Sequence, residues 1–348
     1  MLDVAVAGGG PAGLAAAILA AQAGREVTVF EPRAGVIDKA CGEGLMPGAV
    51  EGLAGMGVTP SVSHPLVGVR YIDGDHSAEA RFGAQPGLGV RRTVLHDAMR
   101  RRAEALGVSW RRRSVRSVRP IDDRVLVDGE PARWLVAADG LNSPIRRTLD
   151  LDLPHRRPPR FGLRRHFDQA PWSQLVEVYW SRHAEAYVTP VSPTQVGVAL
   201  LFGGDPLPEG RGADGRFAGV LDRFHRLGER LVGEPGSSVR GAGPFERRVR
   251  RRQVGRVLLV GDAAGYLDPI TGEGIRLGIA ASEAAVACII EGRPDRYEAR
   301  WRRATWRVWR LTEGLLSLRE VPTLRRAMVP LLRRVPGLFD TLVRLLAG

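Results

Sequence analysis

Lysine is all but absent from this 348-residue chain: Lys39 stands alone among 51 basic residues, so arginine carries almost the whole formal net charge of +13. Such a bias reflects coding composition as much as a need for charge. The arginines are scattered, without a recognition motif or interleaved stacking aromatics, and no nucleic-acid partner is expected. Cysteine is nearly as scarce. Cys41 and Cys288 form no C-x-x-C pair, which argues against a dithiol redox centre or a structural zinc and fits a reducing cytoplasm. No metal site is expected. No apolar run approaches the ~18 residues of a membrane-spanning helix, and the first strand begins without a basic leader before it. A cytoplasmic protein is therefore expected, long enough for two closely packed domains.

What the chain does have is small residues in a particular order. Val4–Glu31 reads V-A-V-A-G-G-G-P-A-G-L-A-A-A, then a second β-type run, Val27–Phe30, closed by an acid. Gly8, Gly10 and Gly13 have the G-x-G-x-x-G spacing of a dinucleotide-binding βαβ unit, with Pro11 and Ala12 inside it. Gly8 permits the tight turn, Gly10 lets the backbone approach a pyrophosphate, and Gly13 lets the helix lie close on the strand. The helix N-terminus then offers free N–H groups to the phosphates. Glu31 is placed to bind a ribose diol, and Arg33 beside it joins the cofactor-binding set. An ordinary α/β turn would not need the acid at that distance.

Downstream, Pro32–Gly48 is a Gly- and Pro-rich loop containing C-G-E-G (Cys41–Gly44). A helix is expected over Ala49–Met56, strands over Leu66–Ile72 and Ser77–Phe82, and a helix from Arg91 and Arg92 to about Leu106. Val108–Val118, Arg124–Val127 and Arg133–Ala138 form a strand-rich meander ending in A-D-G-L-N-S-P-I-R (Ala138–Arg146). Alternating runs between Asp152 and Gly243 predict a mainly antiparallel sheet, followed within that region by a helix near Phe217–Val232. Arg256–Val260 is a buried strand leading into G-D-A-A-G-Y-L-D-P-I-T-G-E-G-I (Gly261–Ile275) and a small-residue helix to Ile290.

The glycine turn at Gly8–Gly13 and the two glycine–aspartate turns, Asp139–Gly140 and Gly261–Asp262, with Arg92, are in the order of a known superfamily. The chain resembles the glutathione-reductase-type FAD proteins of the aromatic hydroxylase and geranylgeranyl reductase superfamily. The resemblance implies an α/β fold: a Rossmann FAD-binding domain (1–65, 90–150 and 244–295), an inserted mainly antiparallel β-sheet substrate domain (66–89 and 151–243), and a helical C-terminal segment (296–348). It implies that Arg92 contacts the ribityl or phosphate region, that Asp262 binds a ribityl hydroxyl, and that Asp139 serves the pyrophosphate side. The turn opened by Pro269, with Gly272, Gly274 and Ile275, would bring the backbone N–H groups of its non-proline residues to the flavin pyrimidine edge.

Two reactions follow from the resemblance. The first is an NAD(P)H-driven monooxygenase that hydroxylates a hydrophobic, phenolic molecule through a flavin C4a-hydroperoxide, with NADPH or NADH as a transient reductant. The alternative is a geranylgeranyl-reductase-like enzyme acting on isoprenoid double bonds. C-G-E-G and T-G-E-G-I (Thr271–Ile275) look like that branch, but its Y-x-W-x-F-P motif is replaced by A-Y-V-T-P-V (Ala186–Val191). A flavin halogenase would need a tunnel lysine, for which Lys39 is the sole candidate, and a tryptophan motif that is missing. A non-catalytic FAD protein is the remaining class. Cys41 and Glu43 are the candidate catalytic residues, against the plainer reading of a small buried thiol and a loop carboxylate. Tyr179, Tyr187 and His183 are candidate pocket residues, against ordinary strand packing. The C-terminal Arg/Trp/Leu helices fit either a peripheral membrane contact or packing on the FAD domain. The sequence leaves the oligomeric state open.

Overall fold

The computed structural model describes residues 1–203 and 212–347. Its first sheet is parallel at the centre. In space the strands run Val257–Leu259, Glu130–Ala137, Leu2–Ala7, Val27–Phe30 and Ser109–Arg111. These segments are continuous apolar runs, V-A-V-A, W-L-V-A and V-L-L-V, because helices and loops bury both faces of the sheet. Strand order reverses beside Leu2–Ala7, and a parallel sheet opens a crevice at such a point, outside the carboxyl ends of its strands. The Gly8–Gly13 turn and the two glycine–aspartate turns, Asp139–Gly140 and Gly261–Asp262, leave from those ends.

Helix α1 (Pro11–Gln22) lies on this sheet. Helix α2 (Pro47–Gly55) starts earlier than its periodicity suggests because Pro47 is suited to a first helical position. Helix α3 (Arg92–Ala105) and the one-turn α4 (Pro144–Thr148) follow. The second sheet is ordered Glu234–Pro235, Arg160–Asp168, Gln195–Gly203, Ala184–Ser192, Leu175–Trp180, Gly68–Asp73, His76–Arg81. Its pairs are antiparallel except Leu175–Trp180 with Gly68–Asp73, which is parallel.

Other expected elements come out differently too: the strand expected over Leu66–Ile72 is split into His64–Leu66 and Gly68–Asp73, which join different sheets. The helix near Phe217–Val232 is two short ones, α5 (Gly212–Leu221) and α6 (His225–Arg230), because the chain leaves helical geometry at Phe224 to bury its ring. The strand expected over Val108–Val118 is only Ser109–Arg111, since the arginines after it face solvent rather than a partner strand.

Helix α7 (Gly274–Glu291) packs against α1 through small residues; a Cβ on Gly278 would lie 3.2 Å from Ala12 Cβ. Helices α8 (Tyr297–Glu320), α9 (Pro322–Arg334) and α10 (Pro336–Ala347) then cross to the second sheet. There Leu316, Met328, Val329, Leu332, Phe339 and Val343 form one cluster with Val69, Ala78, Val176, Val178, Trp180 and Ile270. Helices α5 and α6 cover the sheet's opposite face around Phe167, Tyr179 and Phe217.

Candidate functional site

The first turn is built by close approach. Gly8 has φ +108°, and a Cβ there would lie 2.4 Å from Ala138 O. A Cβ on Gly13 would lie 1.9 Å from Gly8 O, so α1 touches the turn that precedes it. Gly10 differs: its Cβ position meets nothing within 4 Å and faces open space at the α1 N-terminus, which has no side-chain cap. That gap suits a phosphate group approaching free N–H donors. Pro11 occupies the first helical position.

Glu31 is almost fully buried and accepts bonds from Gly9 N (3.0 Å), Arg33 N (3.0 Å), Arg33 Nε (2.7 Å) and Arg33 Nη2 (2.9 Å). Burial works to raise its pKa, but the Arg33 and Gly9 hydrogen bonds outweigh it and hold the carboxyl below its usual range. His96, absent from the sequence reading, braces the same turn. Ile37 N donates to its Nδ1 (3.3 Å), which leaves Nε2–H to donate to Gly9 O at 2.9 Å. Burial lowers the His96 pKa, in keeping with this neutral form. Only its apolar helical spacing, α3 facing the sheet, could have marked it.

The second and third turns are held by Arg146, which is 1 % exposed. Its Nε donates to Asp152 Oδ1 (2.5 Å), Nη2 to Leu141 O (2.9 Å), and Nη1 to both Asp262 O and Ala263 O (3.3 Å each). Asp139 Oδ2 accepts from Ile145 N (3.0 Å), while its Oδ1 is buried without a partner. Burial pushes the Asp139 carboxyl up, against hydrogen bonds from Ser143 and Ile145. Burial likewise raises Asp262, against the charges of Lys39, Arg92 and Arg146. Arg92 donates its backbone N–H to Glu43 Oε1 (2.7 Å), and its side-chain Nε is buried and unpaired. The open Gly10 position and the unpaired Arg92 Nε and Asp139 Oδ1 are what an adenine dinucleotide laid along this crevice would satisfy. The residues fit FAD.

The Pro269–Thr271 turn is capped by Asp268, whose Oδ1 accepts from Ile270 N (3.0 Å); Gly272 then takes φ +73°, and Glu273 leads into α7 at Gly274 and Ile275. Glu273 was not singled out from the sequence. It is 2 % exposed, with Arg276 Nη1 3.7 Å away, and burial pushes its carboxyl up to about 8. The folded state therefore binds its proton more tightly than the unfolded chain, whose carboxyl titrates near 4.5. Stability from this group is present at low pH and is lost as pH rises from about 4.5 to about 8. Glu273→Gln should leave stability near wild type at pH 5 and raise it by about 2–4 kcal/mol at pH 8.5, read by urea unfolding. Equal differences at the two pH values would refute this.

Glu43 sits in the C-G-E-G loop with φ +60°, a strained conformation for a residue with a side chain. Its Oε2 is 2.6 Å from His166 Nε2, and His166 Nδ1 is 2.9 Å from Ser237 Oγ and 3.1 Å from Arg164 Nη1. Both Glu43 oxygens are engaged, so the side chain ties the loop to α3 and to the second sheet. His166, Arg164 and Ser237 carry no motif in the sequence. Cys41 is partly exposed, its Sγ accepts from Glu43 N (3.4 Å), and burial pushes its thiol up. Tyr187 OH donates to Ile270 O (2.8 Å), which joins the second sheet to the Pro269 turn. Tyr179 lies on the opposite face, bonded to Glu177 Oε2 (2.7 Å), and His183 is exposed in a hairpin turn. Strand alternation separates them: Val178 and Trp180 face α8–α10, so Tyr179 cannot. Of the three tyrosine and histidine candidates, the structure brings only Tyr187 to the crevice.

Comparison with known proteins identifies the family. The FAD binding domain family matches residues 1–291, and the chain belongs to that family. It is 27% identical over 348 residues to a menaquinone reductase of Mycolicibacterium smegmatis, covering 86% of this chain and 79% of that one. It is 29% identical over 349 residues to digeranylgeranylglycerophospholipid reductase 1 of Methanopyrus kandleri, covering 86% and 85%. It is 27% identical over 321 residues to a 3-amino-4-hydroxybenzoate 2-monooxygenase of Streptomyces cremeus, covering 84% and 79%. In fold it matches a flavoprotein/dehydrogenase of Cytophaga hutchinsonii with TM-score 0.82 at 18% identity, over 100% of this chain and 92% of that one. The protein is an FAD-dependent oxidoreductase.

Proposed function

We infer, from membership of the FAD-binding-domain family and from the wall of the second sheet, that this chain reduces a carbon–carbon double bond in a long isoprenoid molecule. One observation carries the reading. The sheet face beside the Pro269 turn is roofed by Leu316, Met328, Leu332, Phe339 and Val343, and Tyr187, the polar tip near that turn, is already bonded to Ile270 O. These five side chains fill the space between helices and sheet at 2–7 % exposure, and the apolar contact they offer suits an extended hydrocarbon lodged between the two better than a small phenol, which needs a free polar partner. Two of the three relatives are named as reductases, a menaquinone reductase and a digeranylgeranylglycerophospholipid reductase, which supports a reductase over a monooxygenase.

Bound FAD supplies hydride chemistry, renewed by NADPH or NADH as a transient visitor. The α1 N-terminus and Arg92 would hold the pyrophosphate, Glu31 the adenosine ribose and Asp262 the ribityl chain. The backbone N–H groups of Pro269–Gly274 would face the pyrimidine edge, where negative charge grows on reduction. Double-bond reduction adds a hydride to one carbon and a proton to its neighbour. Cys41, kept a neutral thiol by burial, is the group of the 41–44 loop able to hand over that proton, with Glu43 holding the loop in place.

Helices α9 and α10 add an exposed apolar edge, Leu324, Leu331, Val335, Leu338 and Leu345, with Arg334 and Arg344 alongside. No helix among the described residues is long and apolar enough to cross a membrane. We propose that this edge rests on an anionic bilayer from which the substrate is drawn; sedimentation with phosphatidylglycerol vesicles, lost in a Leu331→Glu/Leu338→Glu variant, tests it.

The monooxygenase is the second reading, favoured by the absence of Y-x-W-x-F-P at Ala186–Val191 and by the benzoate monooxygenase relative. Turnover of menaquinone or a geranylgeranyl lipid with NADPH decides between them. Anaerobic gain of two hydrogens is expected. Incorporation of ¹⁸O from labelled oxygen, with no anaerobic product, would overturn the reductase.

A further inference from the structure

The single lysine is not used by any step described so far, yet it is placed where a cation is wanted. Its side chain reaches across the crevice: Nζ lies 3.4 Å from where a Cβ on Gly140 would stand, at the Asp139–Gly140 turn. The charges that act on it are those of Arg33, Arg92, Asp262 and Glu31. These are the groups that span the crevice from the adenosine ribose to the ribityl chain. Among the described residues its ammonium makes no hydrogen bond or ion pair. Burial, then the neighbouring Arg33 and Arg92, lower its pKa, as expected of a cation held among cations. The loop that carries it is anchored, since Lys39 O accepts from Arg164 Nη2 (3.2 Å) and Arg164 also pairs with Asp38.

We propose that Lys39 is a positioning residue that closes over the crevice and pairs with the pyrophosphate of bound FAD, on the side away from the α1 N-terminus. The α1 end donates from fixed backbone N–H groups and the arginines from one wall; Lys39 supplies a point charge from the opposite loop. The doubly charged phosphate bridge would compensate a cluster that otherwise holds three cations against two carboxylates. Lysine suits the task because its long stem can swing aside for the cofactor to enter and then return. Ordering this loop also orders Cys41, two residues on. The inference stands whichever reaction the enzyme performs.

Because Lys39 is the sole source of an ε-amine, amine chemistry reports on it alone once the N-terminal peptide is separated. The purified chain is acetylated with an N-hydroxysuccinimide ester, with and without FAD, and the Lys39 peptide is quantified by mass spectrometry. FAD is expected to slow acetylation about tenfold or more, and inorganic pyrophosphate at the same concentration to leave it unchanged. Lys39→Gln should raise the FAD dissociation constant about tenfold and flatten its salt dependence, with Lys39→Arg close to wild type. The Lys39 side chain is exposed over most of its length and only its ammonium is drawn into the crevice, so neither change threatens the fold. Unchanged labelling with FAD bound, equal protection by pyrophosphate, or a Lys39→Gln constant within about twofold of wild type overturns the proposal. If the wild-type chain binds no FAD, the cofactor assignment falls with it; if FAD binds and Lys39 does not respond, only Lys39's role falls.

Discussion

Arg146→Met should destabilise the protein by about 3–5 kcal/mol and abolish FAD binding with it. Methionine fills much of the volume, so the loss is not chiefly one of packing. The guanidinium is 1 % exposed and serves four acceptors in two different turns: Leu141 O and Asp152 on one side, Asp262 O and Ala263 O on the other. Asp152 is partly exposed and can be rehydrated when its partner goes. The carbonyls of Leu141, Asp262 and Ala263 are less able to find water, and each unpaired group costs about 1–3 kcal/mol, less than additively. Urea unfolding followed by circular dichroism measures the first effect, and quenching of FAD fluorescence the second. A loss below about 1 kcal/mol would mean that water replaces the guanidinium, and that the two turns stand without it.

Gly10→Ala and Gly13→Ala should part stability from cofactor binding, although the glycines are three residues apart. At Gly13 a Cβ would lie 1.9 Å from Gly8 O and 3.1 Å from Ala138 Cβ. Helix α1 would have to move off the sheet, at about 3 kcal/mol, taking the anion site with it. At Gly10 a Cβ meets no protein atom within 4 Å, and the residue's φ of −73° is one alanine adopts freely. Stability should therefore stay within about 0.5 kcal/mol of wild type. The new methyl stands in the space a pyrophosphate needs, so FAD affinity should fall about 100-fold through lost phosphate hydrogen bonds. Equal loss of stability in the two variants would show that both glycines serve the fold alone. Unchanged FAD affinity in Gly10→Ala would place the phosphates elsewhere.

Much of the geometry of the glycine turns was legible in the linear order of residues, because each part of it is local. A strand, a turn and a helix start lie within about a dozen residues, and only glycine survives the contacts that Gly8 and Gly13 make. The G-D turns and Glu31 are read in the same way. The residues that escaped are those whose partners are distant in sequence. His96 meets Gly9 across 87 positions, Glu43 meets His166 across 123, and Arg146 meets Asp262 across 116. Nothing in the neighbourhood of His166 in the chain marks it, since its partners arrive from the 41–44 loop and from Ser237.

The candidate pocket shows the same division. Tyr179 and Tyr187 look alike in sequence, each an aromatic in an alternating strand; pairing and register turn one toward Glu177 and the other toward Ile270. The amphipathic character of the C-terminal segment was visible as Arg/Trp/Leu spacing, but not its partner. By itself the sequence pointed to an FAD-dependent oxidoreductase and to the glycine turns of its nucleotide-binding unit, because backbone geometry at glycines and strand ends is a short-range property. Only the tertiary structure decided which face of the second sheet meets the Pro269 turn, that α8–α10 roof it, and that Glu43 is a tie rather than a free carboxylate. Those outcomes depend on which surfaces bury one another, and long-range burial leaves no fixed spacing in a chain.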